Sequence, residues 1–157
     1  MRKIVIDTNL LLLWVAGTAD VNLIEKHRRL YPKYKVEHFY FLIQLLSEFQ
    51  KFIVTPHSLA ELWNLIGEQK DAYDTDYDSV FHIARAFVSD NLEVYTPAVD
   101  LLKSPKIAWL GLSDVAQIDA AIQNNASLVS SDGRLCHQAR QQAIEAYSFW
   151  TLFDPTL

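Results

Sequence analysis

Short runs of apolar and β-branched residues alternate with longer helical stretches along this chain, and this alternation limits the possible folds more than any other feature. Strands separated by helices form parallel sheets, because each return to the same end of the sheet needs a crossover connection. The alternation therefore predicts an α/β protein. The expected architecture is a three-layer α/β/α sandwich around a central, mainly parallel sheet of four to five strands.

The boundaries of the elements follow from apolar spacing and from helix-start residues. Pro56 is expected to open a helix, since proline is well tolerated in a first turn, and Ser113 is expected to cap another. An acidic segment at 71–78 lacks the glycine and the terminal glutamate of an EF-hand loop, which favours a solvated turn. The predicted strands are 3–6, 52–55, 92–95, 128–130 and 147–152, and the predicted helices are 10–15, 20–29, 36–50, 56–67, 79–89, 97–103, 114–124 and 133–146.

Composition sets the class of protein. The chain has 157 residues, half of them hydrophobic, which suits one domain over 1–157 with a helical elaboration at about 18–50. The apolar stretch at 10–16 is too short to span a membrane and lacks the flanks of a signal peptide, so we expect a cytoplasmic protein without membrane contact. The single cysteine, Cys136, excludes an intrachain disulfide and a cysteine-based zinc site. The net charge of −5 argues weakly against a broad basic surface for nucleic acid.

Four acidic residues occupy comparable places in the predicted fold. Asp7 and Asp132 directly follow strands, and Glu61 and Asp114 lie early in helices. Taken singly, Asp114 is explained by stabilisation of a helix N-terminus, and Glu61 by a solvent-facing helix surface. Taken together, the four are expected to converge, because the carboxyl ends of parallel strands meet at one edge of the sheet. Such a set would repel strongly without cations.

The chemistry of this set favours a hard divalent cation. Carboxylate oxygens, without histidine or cysteine at comparable positions, suit Mg²⁺ or Mn²⁺. These ions activate water and stabilise the leaving oxygen in phosphodiester hydrolysis. The acids Asp7, Glu61, Asp114 and Asp132 are therefore the candidate metal ligands and catalytic residues.

Four segments also resemble the PIN-domain family: IVIDTNLLL, TPHSLAEL, GLSDVAQIDAAI and LVSSDGRL. The resemblance spans nearly the whole chain. It implies a metal-dependent endoribonuclease in which the four acids, in chain order, form the catalytic site. The single-domain format resembles the toxins of bacterial and archaeal toxin–antitoxin pairs (VapC-like), which implies a possible antitoxin partner.

The resemblance also implies supporting residues around the acids. Thr8 and Asn9 follow the Asp-Thr-Asn opening of the family, with helix capping as the alternative role. Ser130 and Ser131 precede the fourth acid, where the family often has serine or threonine, and Ser131 is the predicted supporting residue. A strand-end turn explains both serines equally well. Asp119 is the rival of Asp114 for the third position. Five residues rotate a helix by about 140°, so the two cannot point the same way, and Asp119 is predicted to be peripheral.

The predictions of RNA-contacting residues and of a homodimer depend on less specific sequence features. The basic residues at 26–29, with Arg134 and Arg140, are candidates for contact with RNA phosphates, although a charge run is usually a solvated helix face. The adjacent aromatics at 39–41 cannot all face one core, and the family often dimerises, so a homodimer is expected.

Two alternative functions remain open at this point. A non-catalytic PIN scaffold that binds RNA or protein would normally have lost one or more of the acids, and this chain retains all four. An aspartyl-phosphate phosphatase would also begin with an acid after the first strand. It needs a second aspartate two residues later, where this chain has Asn9, and a later lysine, although none follows Lys106.

Overall fold

The computed structural model describes residues 1–67, 77–105 and 109–156, and within them five parallel strands form one sheet with helices on both faces. This confirms the predicted α/β/α sandwich. The elements in chain order are β1 (Lys3–Ile6), α1 (Thr8–Ala19), α2 (Leu23–Lys26), α3 (Val36–Leu46), β2 (Lys51–Val54), α4 (Pro56–Gly67), α5 (Tyr77–Asp90), β3 (Leu92–Glu93), α6 (Ala98–Leu101), α7 (Leu112–Asn124), β4 (Ser127–Ser130), α8 (Gly133–Gln141), β5 (Ala146–Ser148) and α9 (Phe149–Phe153).

The strand order, β3-β2-β1-β4-β5, places the first strand at the centre of the sheet. The chain builds outward from β1 to β3 on one side and then crosses to β4 and β5 on the other. In the register of the sheet, Val5 of β1 pairs with Ile53 of β2 and with Leu128 of β4. The connections that leave β1 and β4 therefore run in opposite directions, which opens a crevice beyond their carboxyl ends.

Alternating residues of the strands supply two separate cores. Ile4 and Ile6 face a core built with α1 to α5, whereas Val5 and Leu128 face a core built with α6, α7 and α8. Each of these four side chains is at most 1% exposed. Because both faces are covered at the centre of the sheet, the apolar residues of β1 are continuous rather than alternating.

The segment between α1 and β2 packs tightly against the first core. A Cβ atom added at Gly17 of α1 would lie 2.3 Å from the Phe39 ring, so α3 approaches α1 at a position that only glycine fits. Phe39 is buried and Phe41 is half-buried, with its ring against Phe149 of α9. Tyr40 between them remains 59% exposed.

Several predicted boundaries were wrong. The helix predicted over 20–29 is the single turn Leu23–Lys26, and the helix predicted over 36–50 ends at Leu46. The strand predicted over 147–152 is Ala146–Ser148, so the helix predicted over 133–146 ends earlier, at Gln141. Residues 149–153 are helical, which places the rings of Phe149 and Phe153 one turn apart against the aromatics of α3.

The helix that carries Asp114 begins one residue before the predicted cap. Gly111 is its N-cap residue and Leu112 its first residue, so Ser113 lies inside the first turn. Of the acidic segment at 71–78, residues 71–76 fall outside the described residues, and Asp78 belongs to α5. No helix in the described part of the chain is long and apolar enough to cross a bilayer.

Candidate active site

Asp7 lies at the carboxyl end of β1, at the crevice between β1 and β4, and is 4% exposed. Its backbone N–H donates to the carbonyl oxygen of Val129 at 3.0 Å, which extends the ladder between β1 and β4 past the strand end. The Ser130 hydroxyl donates a 2.7 Å hydrogen bond to Oδ2 of Asp7. The Asp7 carboxylate is therefore fixed from the neighbouring strand.

Burial raises the pKa of Asp7 from 3.8 to about 6. The hydrogen bond from Ser130 opposes this shift, whereas the negative charges of Asp114, Glu61 and Asp132 add to it. The three other predicted acids are thus near enough to Asp7 to act on its ionisation. We refer to the four carboxylates of Asp7, Glu61, Asp114 and Asp132 as the acidic cluster.

Asp114 lies half-buried in the first turn of α7, where the Gly111 N–H donates to its Oδ2 at 3.3 Å. Burial raises the pKa of the Asp114 carboxyl, the hydrogen bond from Gly111 lowers it, and the charges of Glu61 and Asp132 raise it further. The role of helix-end stabilisation and the role of a cluster member therefore coexist at this residue.

Glu61 lies exposed on α4 and is held by a short hydrogen-bonded chain. The Thr8 hydroxyl donates to Oε2 of Glu61 at 3.1 Å, and Nε2 of Gln117 lies 3.5 Å from the Thr8 hydroxyl oxygen. Asp7 is the N-cap residue of α1, so Thr8 contacts the second acid rather than serving as the cap. Asn9 lies half-buried in the same first turn.

Asp132 is the N-cap residue of α8 and lies half-buried after β4. Its Oδ1 accepts a 2.7 Å hydrogen bond from the backbone N–H of Arg134, whose guanidinium lies 3.7 Å from Oδ2. The backbone N–H of Asp132 donates to the Ser130 hydroxyl oxygen at 2.9 Å. Ser130 thus contacts the first and the fourth acid of the cluster with one hydroxyl group.

Ser131 contacts the segment between α2 and α3 rather than an acid. Its hydroxyl oxygen accepts a 2.7 Å hydrogen bond from the hydroxyl of Tyr34, which is buried and stacks on Trp150 at 5.3 Å between ring centroids. The predicted helical elaboration therefore reaches the residue that precedes Asp132.

Asp119 lies apart from the acidic cluster. Its Oδ2 accepts hydrogen bonds from the Thr96 hydroxyl and from Nε2 of Gln123. Asp119 also lines a cavity of about 290 Å³ beside α6, and it is not among the charges that shift the pKa of Asp7 or Asp114. The polar contacts of Asp119 are thus with Thr96 and Gln123, and its exclusion from the third acid position stays a prediction.

The donor set fits a hard divalent cation in chemistry and charge. The charges of Glu61, Asp114 and Asp132 all act on the pKa of Asp7. A buried acceptor, Oε1 of Gln117, finds no hydrogen-bond donor among the described residues. In the described part of the chain, no three or more His, Cys, Asp or Glu side chains are already placed to hold an ion. Glu61 is exposed and Asp114 and Asp132 are half-buried, so none of these three side chains is as enclosed as that of Asp7.

Sequence reasoning missed three residues of this site or misjudged their roles. It chose Ser131 as the supporting serine, whereas the geometry gives Ser130 the contact with Asp7. Gln117 carried a usable signal, because it lies three residues after Asp114 and so on the same helix face. No sequence signal pointed to Tyr34, because its contact with Ser131 joins residues that are 97 positions apart.

Comparisons with known proteins add little about function. No protein-family model matches this chain, and no curated protein matches it. Among solved structures, the chain is similar to a domain of a functionally unknown protein from Methanocaldococcus jannaschii DSM 2661, with a TM-score of 0.47 and 14% sequence identity over 94% of this chain and 90% of that one.

Proposed function

We propose that this chain is a Mg²⁺- or Mn²⁺-dependent endoribonuclease of the PIN type. The observation that carries the proposal is the convergence of the acidic cluster on Asp7, beyond the carboxyl ends of β1 and β4. In open α/β sheets, this divergence of connections is the usual place for a ligand. The resemblance of four sequence segments to the PIN family supplies the reaction class.

The electrostatics of the cluster supports a cation there. Asp7 and Asp114 both have pKa values raised by burial and by neighbouring carboxylates, so ionisation of the cluster is unfavourable in the absence of positive charge. The carboxylates of Asp7, Glu61, Asp114 and Asp132 would hold the ion. A bound divalent cation lowers the pKa of a water and neutralises charge on a phosphate.

The protein's own residues supply orientation in this proposal. Ser130 fixes Asp7 relative to Asp132, and Thr8 holds the Glu61 carboxylate. Because the pKa of Asp7 is about 6, this carboxyl is mainly ionised at neutral pH and is available as a ligand. The Arg134 guanidinium lies 3.7 Å from Oδ2 of Asp132 and would bind a phosphate of the substrate in this proposal.

The alternatives have weaker support. A scaffold without activity would not require four carboxylates whose negative charges raise the pKa values of Asp7 and Asp114. An aspartyl-phosphate phosphatase requires a carboxylate two residues after the nucleophile, and Asn9 occupies that position.

The chemistry of the cleaved ends tests the proposal. Purified protein is incubated with a defined single-stranded RNA and Mn²⁺, and the product ends are analysed. Attack by water is expected to leave no 2′,3′-cyclic phosphate, because it does not use the 2′-hydroxyl, and a chelator is expected to stop the reaction. Cyclic phosphate ends, cleavage that persists in chelator, or no cleavage of any RNA would contradict the proposal.

A further inference from the structure

A cavity with an exposed aromatic wall lies next to the acidic cluster. It has a volume of about 280 Å³ and is lined by Trp109, Leu110, Gly133, Arg134, His137 and Gln138. Trp109 is one of four tryptophans in the chain and is 78% exposed, although its neighbour Leu110 is buried in the second core. An indole held at the surface beside a cavity is a suitable platform for a planar ligand.

Arg134 joins this cavity to the acidic cluster. Its side chain is 81% exposed, its guanidinium lies 3.7 Å from Asp132, and its positive charge lowers the pKa of the Asp114 carboxyl. His137 lies about one turn further along α8 and lines the same cavity. The cavity thus combines an aromatic face with a cation at the end nearest the carboxylates, which matches a ligand with a flat ring and an anionic group.

We propose that this cavity binds an unpaired nucleotide of the RNA substrate, with the base stacked on Trp109 and the adjoining phosphate beside Arg134. The inference rests on the proposed nuclease function and specifies its substrate class as single-stranded RNA. A base within a duplex already has stacked neighbours on both faces, whereas an unpaired base can turn out and stack on an aromatic side chain. The next phosphodiester along the strand would then lie toward the acidic cluster.

Binding measurements separate this inference from the cleavage reaction. Fluorescence anisotropy of a labelled single-stranded oligoribonucleotide is measured with Mg²⁺ in the Asp7→Asn background, where the substrate is expected to stay intact. The same oligoribonucleotide annealed to its complement serves as the duplex probe. The variants are Trp109→Ala and Trp109→Phe, with Tyr40→Ala as the control for loss of an exposed aromatic outside the cavity.

Trp109→Ala is expected to weaken single-strand binding about tenfold, in line with the contribution of one stacked base. Trp109→Phe, which keeps an aromatic face, should retain most of the affinity, and Tyr40→Ala all of it. Duplex binding should not respond to either Trp109 variant. Equal single-strand affinity in Trp109→Ala and its parent would overturn the inference, as would an equal loss for the duplex.

Tryptophan emission gives a second readout that a purely structural role of Trp109 would not produce. Single-stranded RNA is expected to quench the emission of the parent protein and to quench that of Trp109→Phe markedly less. Quenching by a protein partner with no response to RNA would overturn the nucleotide assignment and identify a protein contact. If the wild-type protein does not cleave RNA but Trp109→Ala binds RNA more weakly than its parent, the proposed nuclease function is wrong and the nucleotide site is supported. If the wild-type protein cleaves RNA but Trp109→Ala binds it as tightly as its parent, the nuclease function is supported and the nucleotide site is wrong.

Discussion

The Ser130 hydroxyl donates a 2.7 Å hydrogen bond to Oδ2 of Asp7, joining the ends of β4 and β1 where the chain connections diverge. The same oxygen accepts from the backbone N–H of Asp132. One buried hydroxyl therefore joins the carboxylate of Asp7 to the backbone of Asp132, whose negative charge raises the pKa of Asp7. The arrangement is electrostatically unfavourable without a cation, and this property leads to measurable consequences.

The stability of the metal-free protein should depend on the ionisation of Asp7. The folded-state pKa is raised from 3.8 to about 6, so between these values the folded state keeps a proton that the unfolded state has released. Relative to ionised Asp7, the protonated form thus adds to the free energy of unfolding. This contribution is fully present below a pH of about 4 and is lost as the pH rises through about 6. At a pH of about 7.5, Asp7→Asn should be more stable than wild type by up to about 3 kcal/mol.

Chemical denaturation of both proteins in chelator, from acid to neutral pH, measures this difference. It should shrink toward zero at the acid end, where Asp7 is protonated in both states. A difference that stays constant across the pH range would show that Asp7 does not titrate as described.

Divalent cations should stabilise the wild-type protein in a saturable manner, because they bind the folded state and relieve the repulsion within the cluster. At a hundredfold excess over the dissociation constant, the expected rise in Tm is roughly 5 to 10 °C. Thermal unfolding in Mn²⁺ and in Mg²⁺ measures it, with Asp114→Asn expected to show a smaller rise. A melting curve that does not change with either ion would count against the metal site.

Gly17→Ala should destabilise the protein, because the new Cβ atom would overlap the Phe39 ring at 2.3 Å and force α3 away from α1. The expected loss is about 1 to 3 kcal/mol, typical of overpacking. Gly133→Ala is the matched control, since an added Cβ there meets no atom within 4 Å. Urea unfolding compares the two variants, and equal stabilities would contradict the tight packing of α3.

Tyr34→Phe removes the hydroxyl that binds Ser131 and leaves the buried ring in place. We expect a loss of stability of about 1 kcal/mol, the usual net contribution of such a hydrogen bond. Tyr147→Phe, which removes a hydroxyl that accepts from the exposed Arg2, should cost less. Similar losses for the two variants in equilibrium unfolding would indicate that the contact with Ser131 contributes nothing specific.

The sequence was sufficient for the parts of this fold that depend on local pattern. The strand at Lys3–Ile6 and the helix at Pro56–Gly67 have the predicted boundaries because β-branched residues and a first-turn proline determine them locally. The placement of Asp7 and Asp132 after parallel strands likewise follows from the alternation of elements.

Features that depend on tertiary contacts escaped prediction. The apolar pattern of residues 149–153 suits either a strand or a helix. The segment is helical in the structure, where the ring of Phe149 packs against that of Phe41, a contact that the local sequence does not reveal. The choice between Ser130 and Ser131 depends on which side chain faces β1, and a shift of one residue in a strand reverses that direction. The role of Tyr34 requires knowledge of where the segment after α2 lies.

Mn²⁺-dependent RNA cleavage by Asp7→Asn, compared with Asp119→Asn, tests the central claim most directly. Both variants exchange an aspartate for its amide, but Asp7 is the buried member of the acidic cluster and Asp119 binds Thr96 and Gln123 outside it. Asp7→Asn is expected to reduce kcat/KM about 100-fold or more while remaining folded, and Asp119→Asn is expected to retain most of the activity. Undiminished cleavage by Asp7→Asn, or equal losses in the two variants, would contradict the assignment of the acidic cluster as the catalytic site.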